Sequence, residues 1–93
     1  MPFAVVSKLA LILSHDVFNE RSGTVIALAM SSQEPRAGFP LTLESKAAGL
    51  TKRSWVKISQ IRTLSVNRIG RRIARASEEE LARVLQGLNE ILG

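Results

Sequence analysis

The chain has 93 residues, no cysteine, 45% apolar and 23% charged side chains, and a formal net charge of +5. That is the size and composition of one small globular domain spanning 1–93; disulfide staples and thiolate metal sites are excluded, and a reducing cytoplasm is the natural compartment. The longest unbroken apolar run, Val25 to Met30, is too short for a membrane span or a signal peptide's apolar region, so no membrane partner is expected.

Leu9 to Leu13 and Val25 to Met30 are short apolar runs bounded by turn formers, Ser14-His15-Asp16 after the first and Ser22-Gly23 before the second. Runs of this kind read as buried strands. Residues 32–40 and 44–54 read as polar connections, with strand signal between them over Pro40 to Leu43. Trp55 to Leu64 reads as a longer strand: Val56, Ile58 and Leu64 share one face, Lys57, Ser59 and Thr63 the other. Ile61 breaks that alternation near Gln60, which a bulge or a strand end would explain. Arg68 to Arg75 is either a short strand or an irregular basic arm. Ser77 with Glu80 three residues on predicts a capping box, and Leu81, Val84, Leu85, Leu88, Ile91 and Leu92 then recur on one face of a helix ending at Gly93. The sum is a mainly β fold, a small antiparallel β-barrel with a C-terminal helix. The chain's four aromatics, Phe3, Phe18, Phe39 and Trp55, give little bulk for a core, and a dimer sharing its core would relieve that.

Charge is partitioned along the chain. Residues 1–45 sum to −1 and residues 76–93 to −3. Between them Lys46, Lys52, Arg53, Lys57, Arg62, Arg68, Arg71, Arg72 and Arg75 give +9 with no acid. Such a stretch, still carrying apolar residues at intervals, reads either as a basic surface that meets phosphates or as a solvated face balanced by a partner's acids. Both readings imply a polyanionic partner.

Several chemistries are disfavoured. One histidine, no cysteine and no acids at ligand spacing leave no metal site, and none of the six glycines falls in a phosphate-loop pattern. Ser14, His15 and Asp16 are sequence neighbours and lack triad geometry; they read as a turn. Metal-free RNA cleavage remains allowed. In it the ribose 2′-OH attacks the adjacent phosphorus, and the enzyme supplies a group for the 2′ proton, a cation for the phosphorane and a donor for the departing 5′ oxygen. Lys, Arg, Ser and Thr can fill those roles, so the composition permits such an enzyme without selecting it.

Ser14-His15-Asp16-Val17-Phe18-Asn19 followed by Ser22-Gly23-Thr24-Val25-Ile26 resembles the MazF/PemK family of toxin endoribonucleases. The similarity continues in order through Met30-Ser31-Ser32, Ser54-Trp55 with Gln60-Ile61-Arg62-Thr63, Ile69 to Ile73, and Ser77 to Leu81, covering about Lys8 to Leu92. The resemblance implies a small β-barrel with a C-terminal helix and a homodimer that cuts single-stranded RNA at short sequences without a cofactor. It also implies a MazE-like antitoxin whose flexible acidic tail lies across the RNA groove. The products would be a 2′,3′-cyclic phosphate and a 5′-OH.

Carried over position by position, the resemblance makes Lys8 the phosphorane clamp or proton carrier and Ser31 the leaving-group donor, with Ser32 its close rival. Asn19, Arg21, Ser32, Lys52, Arg53, Lys57 and Arg62 become candidates for RNA contact. Two departures stand out. Much of the family's first strand is expected to be missing, leaving an open sheet edge, and Lys8-Leu9 stands where the family has Arg-Pro. Lysine keeps the charge but not the planar fork that grips a phosphorane twice. A second family arrangement, with Arg and Asp two apart, falls here on Lys57 and Ser59 and is excluded. Gln60, Arg62 and Thr63 are expected to be structural, through buried hydrogen bonds or dimer contacts, and Trp55 to be core or interface. Two alternatives remain: a same-fold protein that has lost catalysis and only binds antitoxin or RNA, and a gyrase-directed toxin of the similarly folded CcdB kind. The second is disfavoured because Ile91-Leu92-Gly93 reads as a packed helix end.

Overall fold

The computed structural model describes residues 5–7, 10–69 and 72–93. Six strands, β1 (Val5–Ser7), β2 (Ala10–Ile12), β3 (Thr24–Ser31), β4 (Thr42–Ser45), β5 (Ser54–Ser65) and β6 (Arg72–Arg75), form one antiparallel sheet in the order β4-β5-β3-β2-β1-β6. Two helices accompany it, α1 (Asp16–Ser22) and α2 (Glu78–Leu92), with a single 3-10 turn at Val66–Arg68.

The central pair follows from its side chains. In β3, Leu28 and Met30 point into the main core while Val25 and Ala27 point to the opposite face, where they meet Ala10, Ile12, Leu64 and Ile69. A strand buried on both faces carries the continuous apolar run that the sequence shows at Val25 to Met30. In β5 the register jumps from Leu28↔Ile61 to Ala29↔Lys57, leaving Ile58, Ser59 and Gln60 unmatched on β3. The irregularity expected near Gln60 is therefore a pronounced bulge, and it bends the strand. Before the bend, Val56 and Ile58 are fully buried; beyond it, residues 59–63 are exposed. Gln60, Arg62 and Thr63 are thus on the surface of the protomer and not in buried hydrogen bonds.

Among the described residues the sheet is not closed into a barrel, which corrects the expectation from sequence. Its edge strands β4 and β6, four residues each, are not paired with each other among the described residues, and an isolated bridge, Ala48↔Arg75, joins the β4–β5 connection to β6. That approach requires glycine at 49, where φ is +99° and a Cβ would lie 2.6 Å from the Ile73 carbonyl oxygen. The first strand, much of which was expected to be missing, is the three-residue β1, which pairs with both β2 and β6, so the edge on that side is β6. The segment before the final helix is accordingly a strand, with Ile73 bulged between the Val6↔Ala74 and Ser7↔Arg72 pairs.

The stretch after β2 is a helix rather than the turn its polar residues suggested. His15 caps it, its Nδ1 accepting from Val17 N at 3.1 Å, and Gly23 closes it in the left-handed conformation, donating to the Asn19 carbonyl at 2.9 Å. None of its seven residues is buried, so no apolar periodicity announced it.

Helix α2 begins as expected, with Ser77 Oγ accepting from Glu80 N at 3.1 Å. The other half of the capping box is absent. The Glu80 carboxylate turns instead to the end of β4, accepting from Ser45 Oγ at 2.7 Å and from Lys46 N at 2.6 Å. The buried face is Glu80, Leu81, Val84 and Gly87, and at Gly87 an added Cβ would meet Ile58 Cδ1 at 2.8 Å, so glycine lets the helix lie close on β5. Leu85, Ile91 and Leu92, assigned to the packed face from their spacing, are exposed, Leu92 at 74%. Ile91 and Leu92 lie beyond Gly87, the last buried position of the helix, and Leu85 lies beside the buried face and not in it.

Candidate functional site

The strand registers bring several sequence candidates onto one face of the sheet. Ala10, Ala29 and Lys57 lie in one cross-strand row, and Ile12, Ala27 and Arg62 in the next; paired residues of adjacent antiparallel strands project to the same side. Two cations thus flank a strip whose central side chains are methyl groups. Neither Lys57 nor Arg62 has an ion pair or side-chain hydrogen bond among the described residues.

Ser31 closes β3 opposite Trp55 of β5, which in turn faces Glu44 of β4. Its hydroxyl oxygen accepts from Gln33 N at 3.0 Å, with Gln33 O 3.3 Å away. The backbone amide fixes the oxygen while the long second contact holds the proton weakly, leaving a hydroxyl able to donate to an incoming oxygen. Ser32 is exposed beside it. Lys8, the other proposed catalytic residue, lies outside the described residues.

The remaining candidates separate by what already engages them. Arg53 grips Glu44 with two hydrogen bonds, Nε to Oε2 at 3.0 Å and Nη2 to Oε1 at 3.2 Å, and its guanidinium lies 5.0 Å from the centre of the Trp55 ring. Lys46 Nζ approaches the same carboxylate at 3.4 Å. The hydrogen bonds from Arg53, with the charges of Arg53 and Lys46, hold the Glu44 carboxyl below its ordinary pKa. Lys52 and Arg21 are exposed, on the β4–β5 connection and on α1.

Asn19 is committed to the fold. Its Oδ1 accepts from Ser14 Oγ and its Nδ2 donates to Ser14 O at 3.3 Å, while Ser14 Oγ accepts from Ile26 N at 2.9 Å. These bonds tie the end of β2, α1 and β3 together, which gives the Ser14 and Asn19 motif a structural reason of its own.

An open cavity of about 350 Å³ is lined by the 34–39 connection, β4 and Trp55, the strand partner of Ser31. Its wall is fixed by Thr42 Oγ1 donating to Ala37 O at 2.6 Å and by the Leu41 and Thr42 amides donating to Gly38 O. The residues around it, Glu34, Glu44 and Trp55, were not singled out as a group from sequence because only strand register brings them together. Among the described residues no group of His, Cys, Asp and Glu is arranged to hold a metal ion. No helix among them is long and apolar enough to cross a membrane.

Residues 6–92 match the family described as PemK-like, MazF-like toxin of type II toxin-antitoxin system. The chain belongs to this family. The PemK/MazF assignment agrees with similarity to solved structures. A MazE-MazF structure (Form-III) from Deinococcus radiodurans superposes with a TM-score of 0.80 at 24% identity, covering 100% of this chain and 96% of that one. Form-II from the same organism gives 0.74 at 27% identity, covering 90% and 79%. An endoribonuclease in complex with its cognate antitoxin from a mycobacterial species gives 0.76 at 19% identity, covering 98% and 91%. The PemK/MazF fold is therefore shared nearly end to end, a mainly β antiparallel sheet with a C-terminal helix.

Proposed function

We propose that this PemK/MazF-family toxin is a metal-independent endoribonuclease that cuts single-stranded mRNA by 2′-OH attack. The observation that carries this reading is the cationic strip of Lys57 and Arg62 running toward Ser31, whose hydroxyl proton is held only by a long contact to Gln33 O, on a chain of the PemK/MazF toxin family. In this mechanism Lys8 stabilises the phosphorane or carries the 2′ proton, Ser31 donates to the departing 5′ oxygen, and Lys57 and Arg62 hold flanking phosphates. Ser32, Lys52 and Arg21 border the path of the RNA; Arg53 acts through Glu44 and Trp55, and Asn19 through the fold.

A MazE-like antitoxin with an acidic tail fits the same cations, as the antitoxin-bound relatives suggest. Homodimer formation is supported by large apolar side chains left exposed in the protomer, Val17 at 50%, Ile61 at 49% and Phe18 at 43%. The cytoplasm is the proposed compartment. The packed helix end expected from sequence is not a reason to set aside a gyrase-directed toxin, since Leu92 is exposed; the family match is what favours RNA.

Lys8→Ala and Ser31→Ala test the assignment. Each is expected to lower cleavage of a long unstructured RNA by at least ~100-fold, the usual loss for one acid, base or oxyanion donor, while antitoxin binding by calorimetry stays nearly intact. Wild-type cleavage rates in either variant would remove that residue from the mechanism. Antitoxin binding with no cleavage by the wild type would instead support the catalytically impaired alternative.

A further inference from the structure

The cavity lined by Trp55, the strand partner of Ser31, has features that a phosphate-binding surface does not need. At about 350 Å³ it sits at the small end of ligand sites and has room for a nucleobase. Trp55, 8% exposed, forms part of its floor. Of its two carboxylates, Glu44 is saturated by Arg53 and Lys46. Glu34 makes no hydrogen bond or ion pair with any described residue, although it is near enough to act on the charge of Arg53. Arg36 lines the same wall, exposed.

An ionised carboxylate only accepts hydrogen bonds. Single-stranded RNA is read by splaying bases into pockets where their Watson–Crick edges are hydrogen-bonded and their faces stacked. Cytosine presents the N4 amino group to such a carboxylate, whereas uracil, the same size, offers one N3–H donor set between two carbonyl oxygens that the carboxylate repels. Glu34 follows Ser31 by three residues, and Trp55 pairs with Ser31 across the sheet, so a base in this cavity belongs to a nucleotide next to the bond being cut.

We infer that the cavity formed by Glu34, Arg36, Glu44 and Trp55 is a base-reading pocket. It takes the nucleobase flanking the scissile phosphate, and Glu34 selects an amino-bearing base, cytosine over uracil. The inference rests on the RNA-cleavage reading above and assigns part of its sequence preference to one residue.

The test uses 2′-O-methyl oligocytidylate and oligouridylate, which lack the attacking hydroxyl and stay intact. Binding is followed by anisotropy of a labelled oligomer and by the fluorescence of Trp55, the only tryptophan in the chain. The expected result is about tenfold tighter binding of the cytidylate, the discrimination of one good base contact, with a change in Trp55 emission. Glu34→Gln, whose amide both donates and accepts, brings the affinity ratio of the two oligomers close to one; Glu34 is exposed, so the variant folds. Equal affinity for the two in the wild type, an unchanged ratio in Glu34→Gln, or binding that leaves Trp55 emission unaltered overturns the pocket while leaving RNA binding standing. Failure of both oligomers to bind overturns the RNA reading and the pocket with it.

Discussion

Glu80→Ala is expected to lower the stability of the protein by about 3 kcal/mol, the scale for removing one partner from a buried, charge-assisted cluster. The side chain is 7% exposed, and its two oxygens take the Ser45 hydroxyl and the Lys46 amide. Ser45 Oγ also accepts from Ala47 N at 3.2 Å, so one carboxylate organises the whole exit from β4. Truncation leaves a buried hydroxyl and a partly buried amide without their acceptor and opens space at the start of α2. For a domain of this size each kcal/mol moves the midpoint of thermal unfolding by roughly 4–8 °C, so a drop of about 15 °C is expected by circular dichroism. Glu80→Gln keeps one acceptor oxygen and is expected to cost about a third as much. A midpoint unchanged in Glu80→Ala would show that α2 is held by its apolar face alone.

The second large effect concerns the cationic strip. Lys57→Ala with Arg62→Ala removes the two positive side chains aligned by the β3–β5 register. Contacts of this kind release counterions from a nucleic acid, with a slope of about 0.7 in log affinity against log salt for each phosphate on a single strand. The double variant is expected to bind every single-stranded sequence more weakly and to lower the slope by about 1.4. Antitoxin affinity should fall as well, because the acidic tail uses the same charges. A slope equal to the wild type would place the phosphate path elsewhere, with Lys52 and Arg21 the next positions to change. Preference among sequences should not shift in this variant, in contrast to Glu34→Gln.

Much of the architecture can be read from local sequence. Val25 to Met30, Trp55 to Leu64 and Ser77 to Gly93 emerge as β3, β5 and α2 because each carries its own periodicity, run or cap, and the broken alternation at Ile61 marks a real bulge. The misses have physical causes. Helix α1 buries nothing and left no apolar trace, although Gly23 was a usable stop signal. The open sheet, with the β4 and β6 sides meeting at the Ala48–Arg75 bridge, is set by contacts between residues far apart in sequence. Glu80 was legible as a cap but not as the clasp of β4, because its partners lie 35 and 34 residues away.

The site was legible as a set of residue types more than as a place. Nine cations between 46 and 75 announced a polyanion, yet register alone distinguishes Lys57 and Arg62, which share a face, from Arg53, which is bound to Glu44. Asn19 shows the reverse: it belongs to the motif that carries the family resemblance, and its hydrogen bonds account for it without any ligand.

The most direct test of RNA cleavage by this chain is incubation with a long, weakly structured RNA in excess EDTA, with the new ends mapped by primer extension and tested for phosphorylation by a kinase. The account expects discrete cuts at a short recurring sequence, bearing 5′-OH ends that accept phosphate without prior treatment. Intact RNA from protein shown to be folded, or cuts that appear only when magnesium is restored, would contradict it.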